Sequence, residues 1–188
     1  MKSKTHQLAS AGLIAALYTA LTVALGPLSY LAVQVRISEA LTLLPIYSPA
    51  ALWGVTVGCL ISNLIGVLLG TNIIGVFDVL FGTAATLLAA LCSRALRNLR
   101  LRWQTKEGKE LSLPIASAIP PVILNALVVG LELCYVLSGG FQLKIFLIQA
   151  FWVGFGELIS CLVFGMALCF SLERTGLDKK LFGQQAAV

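Results

Sequence analysis

Four carboxylates, Glu39, Asp78, Glu132 and Glu157, lie inside apolar stretches of this chain together with two amides, Asn63 and Asn125, and one guanidinium, Arg36. An ionisable side chain within a membrane span costs about 2.5 to 3.5 kcal/mol on insertion scales, so its first reading is functional. Only Arg36 and Lys144 supply positive charge against the four, which leaves an excess of about two negative charges. Arg36 and Glu39 form an i,i+3 pair, either a plain structural salt bridge or a contact in which Arg36 orients Glu39. The remaining excess suits a ligand carrying a cationic amine. A carboxylate can also accept two N–H donors from a guanine-like edge, and Asn63 and Asn125 supply amides for the other edge. Trp152 or Tyr47 can stack on a flat ring, with lipid contact or packing as the competing use of Trp152.

These residues need a scaffold, and composition says which kind. Of 188 residues, 59% are hydrophobic and only 11% charged, and the mean hydropathy is +0.95. A soluble domain is about 25% charged, so this chain is expected to be an integral membrane protein of the all-α class. The net charge of +5 does not point to nucleic acid, because of where the cations lie. Six of the 13 Lys and Arg fall between Arg94 and Lys109, and five more are in the terminal tails. That is the distribution of cytoplasmic loops under the positive-inside rule. The five cysteines all fall in apolar stretches without a Cys-x-x-Cys pair, as expected of small buried hydrophobes. No disulfide is expected.

Apolar segments are read at Leu8 to Pro27, Ala50 to Leu69, Ile73 to Leu96, Leu113 to Leu137 and Ile145 to Leu172. The first follows a basic start but is about 20 residues long without a clear cleavage site, so it reads as a retained span. Between the first two lies VQVRISEALTLLPIY, Val33 to Tyr47, the one charged passage of the first ninety residues beyond the tail. It reads as one wall of a binding site at a membrane surface. Its shorter apolar part, Ser38 to Tyr47, has Ser38 as an expected N-cap and Pro45 as a kink or stop. If it also crosses, six membrane segments within residues 8–172 put the tail 1–7, the basic loop 97–112 and the tail 173–188 all in the cytoplasm. An amphipathic hairpin at the surface is the alternative. The whole chain, 1–188, then reads as a single membrane domain, a six-helix bundle of a bacterial plasma membrane. The polar residues converge on its outer half.

In the first segment Gly12, Ala16, Ala20 and Ala24 recur every four residues. Such a strip lets another helix approach closely, either a partner's or one of the chain's own. There is no Gly-x-x-x-x-Gly-Lys-Ser/Thr phosphate loop and no Gly-x-Ser-x-Gly elbow. The one histidine, His6, is outside the apolar segments. Neither ATP hydrolysis, Ser-His or Cys-His catalysis nor a His-rich metal site is supported, and the chain is not expected to be an enzyme. No internal repeat of the kind common in secondary transporters is seen. A small bundle with an outward polar pocket and a partner-ready helix points to a substrate-capturing subunit.

The runs VQVRISEALTLLPIY, GVTVGCLISNLIG (Gly54 to Gly66) and DVLFGTAATLLAAL (Asp78 to Leu91) closely resemble the QueT family. These are substrate-specific S components of energy-coupling factor transporters for queuosine precursors. The resemblance covers essentially the whole chain. It implies a six-helix bundle that binds substrate on its outer side and docks through the small-residue face around Ala16 and Ala20 onto a membrane scaffold. Two cytoplasmic ATPases, which use the ATP, would drive that scaffold. The implied substrate is 7-aminomethyl-7-deazaguanine, with Glu39, Glu132 and Glu157 as the leading contacts and Asn63, Asn125 and Asp78 next. Two rivals are left open. One is an S component for another vitamin-like substrate. The other is a stand-alone secondary transporter using Asp78 or Glu157 as a proton relay.

Overall fold

The computed structural model describes residues 4–30, 35–107 and 115–183, among which no strand occurs. Five helical stretches are long and apolar enough to cross a membrane: Lys4–Ala24, Pro49–Leu68, Asp78–Leu99, Ile115–Ser138 and Leu143–Thr175. The protein is an all-α, multi-pass membrane protein. In chain order the α-helices are α1 (Lys4–Ala24), α2 (Gly26–Ser29), α3 (Pro49–Leu68), α4 (Thr83–Glu107), α5 (Ile119–Ser138), α6 (Leu143–Leu158), α7 (Met166–Thr175) and α8 (Leu177–Phe182). A 3-10 helix, Ile37–Ile46, precedes α3. A π-helical turn, Asp78–Gly82, opens α4, and a second π-helical stretch, Ile159–Gly165, joins α6 to α7.

Helix ends follow ordinary chemistry. The Ser48 hydroxyl accepts from the Ala50 N–H at 3.1 Å and Pro49 takes the first position of α3, where its missing N–H costs nothing. Pro120 and Pro121 fall in the first turn of α5 and Gly139 closes it with a φ of 68°, the left-handed stop that glycine favours. The start expected at Ile73 is displaced, because Asn72 accepts from the Ile74 N–H at 3.0 Å and forms a loop instead.

The short apolar segment is the centre of the molecule. Every residue from Ser38 to Ile46 is buried, so it is neither a surface wall along its length nor a surface hairpin. Arg36 at its start meets Asp78, and the Pro45 carbonyl near its end accepts from Arg94 Nη1 at 2.7 Å. It therefore runs parallel to the helix that begins at Asp78. A 3-10 helix rises about 2.0 Å per residue, so ten residues reach about 20 Å, where an α-helix would reach about 15 Å. The stretched pitch lets a short segment match its longer neighbour. Ser38 is not an N-cap: its hydroxyl lies 2.6 Å from that of Thr22 on α1.

Close packing depends on a glycine strip that the sequence reading did not single out. A Cβ on Gly54 would lie 2.8 Å from Ile14 Cβ, and one on Gly58 would lie 2.7 Å from Tyr18 Cβ. These glycines, four residues apart on α3, let α1 sit directly against α3. Gly12, Ala16, Ala20 and Ala24 flank this contact on α1 and are exposed. At the opposite end from Asp78, Arg97 Nη2 pairs with Glu173 at 3.3 Å and the Tyr47 hydroxyl donates to the same carboxylate at 2.7 Å.

Candidate functional site

Asp78 is the hub of the site. Its position in the π-helical turn places the carboxylate over Gly82, where a Cβ would come within 1.9 Å of Asp78 Oδ1. Such turns recur at functional sites because they re-aim a side chain within a helix. Arg36 Nη2 lies 3.2 Å from Asp78 Oδ2, and Asn72 Nδ2 donates to the same oxygen at 2.8 Å. Asn63 Nδ2 donates to the Asp78 carbonyl at 2.8 Å. The Arg36 guanidinium also lies over the Tyr30 ring, 5.5 Å from its centroid, and the Tyr30 hydroxyl donates to the Ser62 carbonyl at 2.5 Å. Burial pushes the Tyr30 phenol above its ordinary range, so it remains a neutral donor.

The expected Arg36–Glu39 pair is replaced by Arg36–Asp78. Arg36 precedes the 3-10 helix with ψ at 89°, outside the helical register that would stack it on Glu39. Glu39 instead accepts a hydrogen bond from the Tyr18 hydroxyl of α1. The second carboxylate nearby is Glu157 of α6, with the Asn125 amide of α5 within reach of both. Cys161 Sγ lies 3.9 Å from Glu157 Oε2 and 3.7 Å from the Glu39 carbonyl.

Glu132 of α5 completes the group, in electrostatic range of Asp78 and Arg36. It lines an open groove of about 730 Å³ between α4 and α5 with Phe77, Phe81 and Tyr135, all exposed. Among the described residues, Glu39 Oε2, Asn63 Oδ1, Asp78 Oδ1, both Glu132 oxygens and Gln149 Oε1 are buried without a hydrogen-bond partner, as are Arg36 Nε and the hydroxyls of Ser29, Ser93 and Ser160. Buried polar atoms are rarely left unpaired. This set is rich in acceptors and therefore calls for a ligand rich in donors.

The structure thus brings Arg36, Glu39, Asn63, Asp78, Asn125, Glu132 and Glu157 together. Trp152 is not joined to them: it is 39% exposed and edges against Phe151 and Phe155. Tyr47 is at the far end, stacked on Phe182 at 6.0 Å. Lys144 is exposed and neutralises nothing in the site. Gln34, part of the charged passage, lies outside the described residues. Sequence reasoning missed Tyr18, Tyr30 and Asn72. The only available signal was that each is a polar group inside or beside an aliphatic run. Gly12, Ala16 and Ala20 line a shallow groove of about 560 Å³ between α1 and α3, with Thr19, Ile61 and Ile65. Ala24 continues the same exposed face.

The family model described as QueT transporter matches residues 8–174. The queuosine precursor transporter QueT of Lactococcus lactis subsp. cremoris (strain MG1363) is 39% identical over 64 residues, a match covering 33% of this chain and 38% of that protein. No solved structure matches significantly. The chain belongs to the QueT transporter family.

Proposed function

We propose that this QueT-family chain is the substrate-capturing S component of an energy-coupling factor importer, and that it takes up a queuosine precursor, 7-aminomethyl-7-deazaguanine. The observation that carries the reading is the cluster of buried, unpartnered acceptors on Glu39, Asn63, Asp78 and Glu132. A deazaguanine offers ring N–H donors and an exocyclic amine, and its aminomethyl arm is cationic at neutral pH. These are the complements of carboxylate and amide oxygens. The name of the Lactococcus relative supports the same substrate class.

In this reading Ile37–Ile46 counts as a sixth crossing beside the five long helices. The amino terminus, the basic stretch that follows Arg94 and the carboxyl tail then share the cytoplasmic side, as the positive-inside rule favours. The site, at the Asp78 end, faces outward. The exposed face of Gly12, Ala16, Ala20 and Ala24 docks a membrane scaffold, and two ATPases on that scaffold supply the energy.

Uptake measured in proteoliposomes tests this division of labour. Accumulation of the labelled aminomethyl base is expected only when the scaffold and ATPases are reconstituted with the chain and ATP is supplied. Accumulation by the chain alone, driven by a proton gradient, would make it a secondary transporter.

A further inference from the structure

We propose that Glu132 is the residue that selects for a positively charged arm on the ligand. The proposal rests on the capture reading and names the group in that site that reads charge. Among the described residues, both Glu132 carboxylate oxygens are out of solvent and have no hydrogen-bond partner. The other three carboxylates are each engaged: Asp78 by Arg36 and Asn72, Glu39 by Tyr18, and Glu157 by Cys161 with Asn125 in reach. Glu132 is the one that remains bare, and it lies beside an open groove between α4 and α5 of about 730 Å³, enough for a small molecule.

The charges around it do not cancel. The groups in electrostatic range of Glu132 are Asp78 and Arg36, and Arg36 is already committed to Asp78 at 3.2 Å. Glu132 is then left without a counter-charge, in an apolar wall that includes Phe77, Phe81, Leu127, Leu131 and Tyr135. A charge so placed is costly until paired. An ammonium group supplies the missing charge and up to three N–H donors for the two bare oxygens. The aromatic faces of Phe77, Phe81 and Tyr135 suit both a cation and a flat ring.

The groove lies beside the hub. Phe77 and Phe81 flank and share the π-helical turn that carries Asp78. A flat base seated in the groove with a short alkylammonium arm can place the arm at Glu132 and its ring toward Asp78, which is in electrostatic range of Glu132. Glu132 then determines which arm is accepted, and the other acceptors determine which ring.

Two bases that differ only in the arm separate these roles: 7-aminomethyl-7-deazaguanine, which is cationic, and 7-cyano-7-deazaguanine, which is neutral. Both are titrated calorimetrically against the purified wild-type chain and its Glu132→Gln, Glu132→Asp and Glu157→Gln variants in detergent. The wild type is expected to prefer the aminomethyl base. Glu132→Gln should weaken that base by about tenfold or more, the loss of a charge-assisted hydrogen bond, and leave the cyano base within about twofold. Glu132→Asp, which keeps the charge, should retain part of the preference, and it serves as the readout if the Gln variant fails to fold. Equal weakening of both bases by Glu132→Gln, no weakening of either, or loss of the preference through Glu157→Gln alone would overturn the proposal. If the folded wild type binds neither base, the capture reading fails and this assignment falls with it. If it binds both bases without preference, only the assignment falls.

Discussion

The Arg36 guanidinium and the Asp78 carboxylate, 42 residues apart in sequence, meet at 3.2 Å inside the bundle. The contact ties the start of the central 3-10 helix to the π-helical turn of α4, and it neutralises one of the four carboxylates around the site. Removing one partner strands a buried charge, which costs about 3 to 5 kcal/mol, whereas removing both costs much less. Arg36→Met and Asp78→Asn should each lower the thermal unfolding midpoint in detergent markedly. The double variant should lie above the sum of the two losses. Additive losses in this cycle would mean that the pair is not coupled.

Tyr18 is the donor that holds Glu39, reaching it from α1. Tyr18→Phe keeps the ring and removes the hydroxyl, so a buried carboxylate loses its partner at a cost of about 1 to 3 kcal/mol. The expected result is a lower melting midpoint together with weaker substrate binding, since Glu39 would lose its orientation. Unchanged binding would place Glu39 outside the ligand contacts.

The glycines of α3 are held to their size by α1. A Cβ at Gly58 would lie 2.7 Å from Tyr18 Cβ and 3.0 Å from the Ala15 carbonyl. Backbone cannot yield as a flexible side-chain end can, so Gly58→Ala should cost about 1 to 3 kcal/mol as overpacking. The same change should disturb Glu39 through Tyr18. Thermal melts with and without ligand check both parts.

The exposed side of α1 behaves differently. Ala16 and Ala20 face outward along the shallow groove with α3, so bulky replacements fill the groove and do not enter the core. Ala16→Trp and Ala20→Trp should leave folding and substrate affinity intact and abolish co-purification with the scaffold. Loss of substrate affinity would show that this face belongs to the chain's own core.

How much of this was legible in the sequence differs from residue to residue. Long apolar runs fix five crossings because a bilayer sets their length, and Gly139 marks the end of α5 as its backbone chemistry requires, whereas the segment read from Leu113 begins as an α-helix only at Ile119, with Pro120 and Pro121 in its first turn. Asn63, Asp78, Asn125, Glu132 and Glu157 stood out because polarity inside an apolar run has few bland explanations. Arg36's partner was not legible, because spacing proposes local pairs and Asp78 is brought to Arg36 by tertiary packing. The 3-10 geometry of Ile37–Ile46 was hidden for a related reason, since its pitch is set by the depth it must match along α4. Tyr47 and Trp152 were expected as stacking aromatics by composition alone. The structure gives the aromatic wall beside Glu132 to Phe77, Phe81 and Tyr135 instead, which only a folded α4–α5 contact could reveal.

The most direct test of capture by this chain alone is titration of the purified protein in detergent with 7-aminomethyl-7-deazaguanine, following tryptophan fluorescence. Guanine and thiamine run as comparisons. Saturable binding of the aminomethyl base at one site per chain, with guanine weaker and thiamine without effect, is the predicted result. Folded protein that does not bind the aminomethyl base, or that binds thiamine instead, would contradict the account.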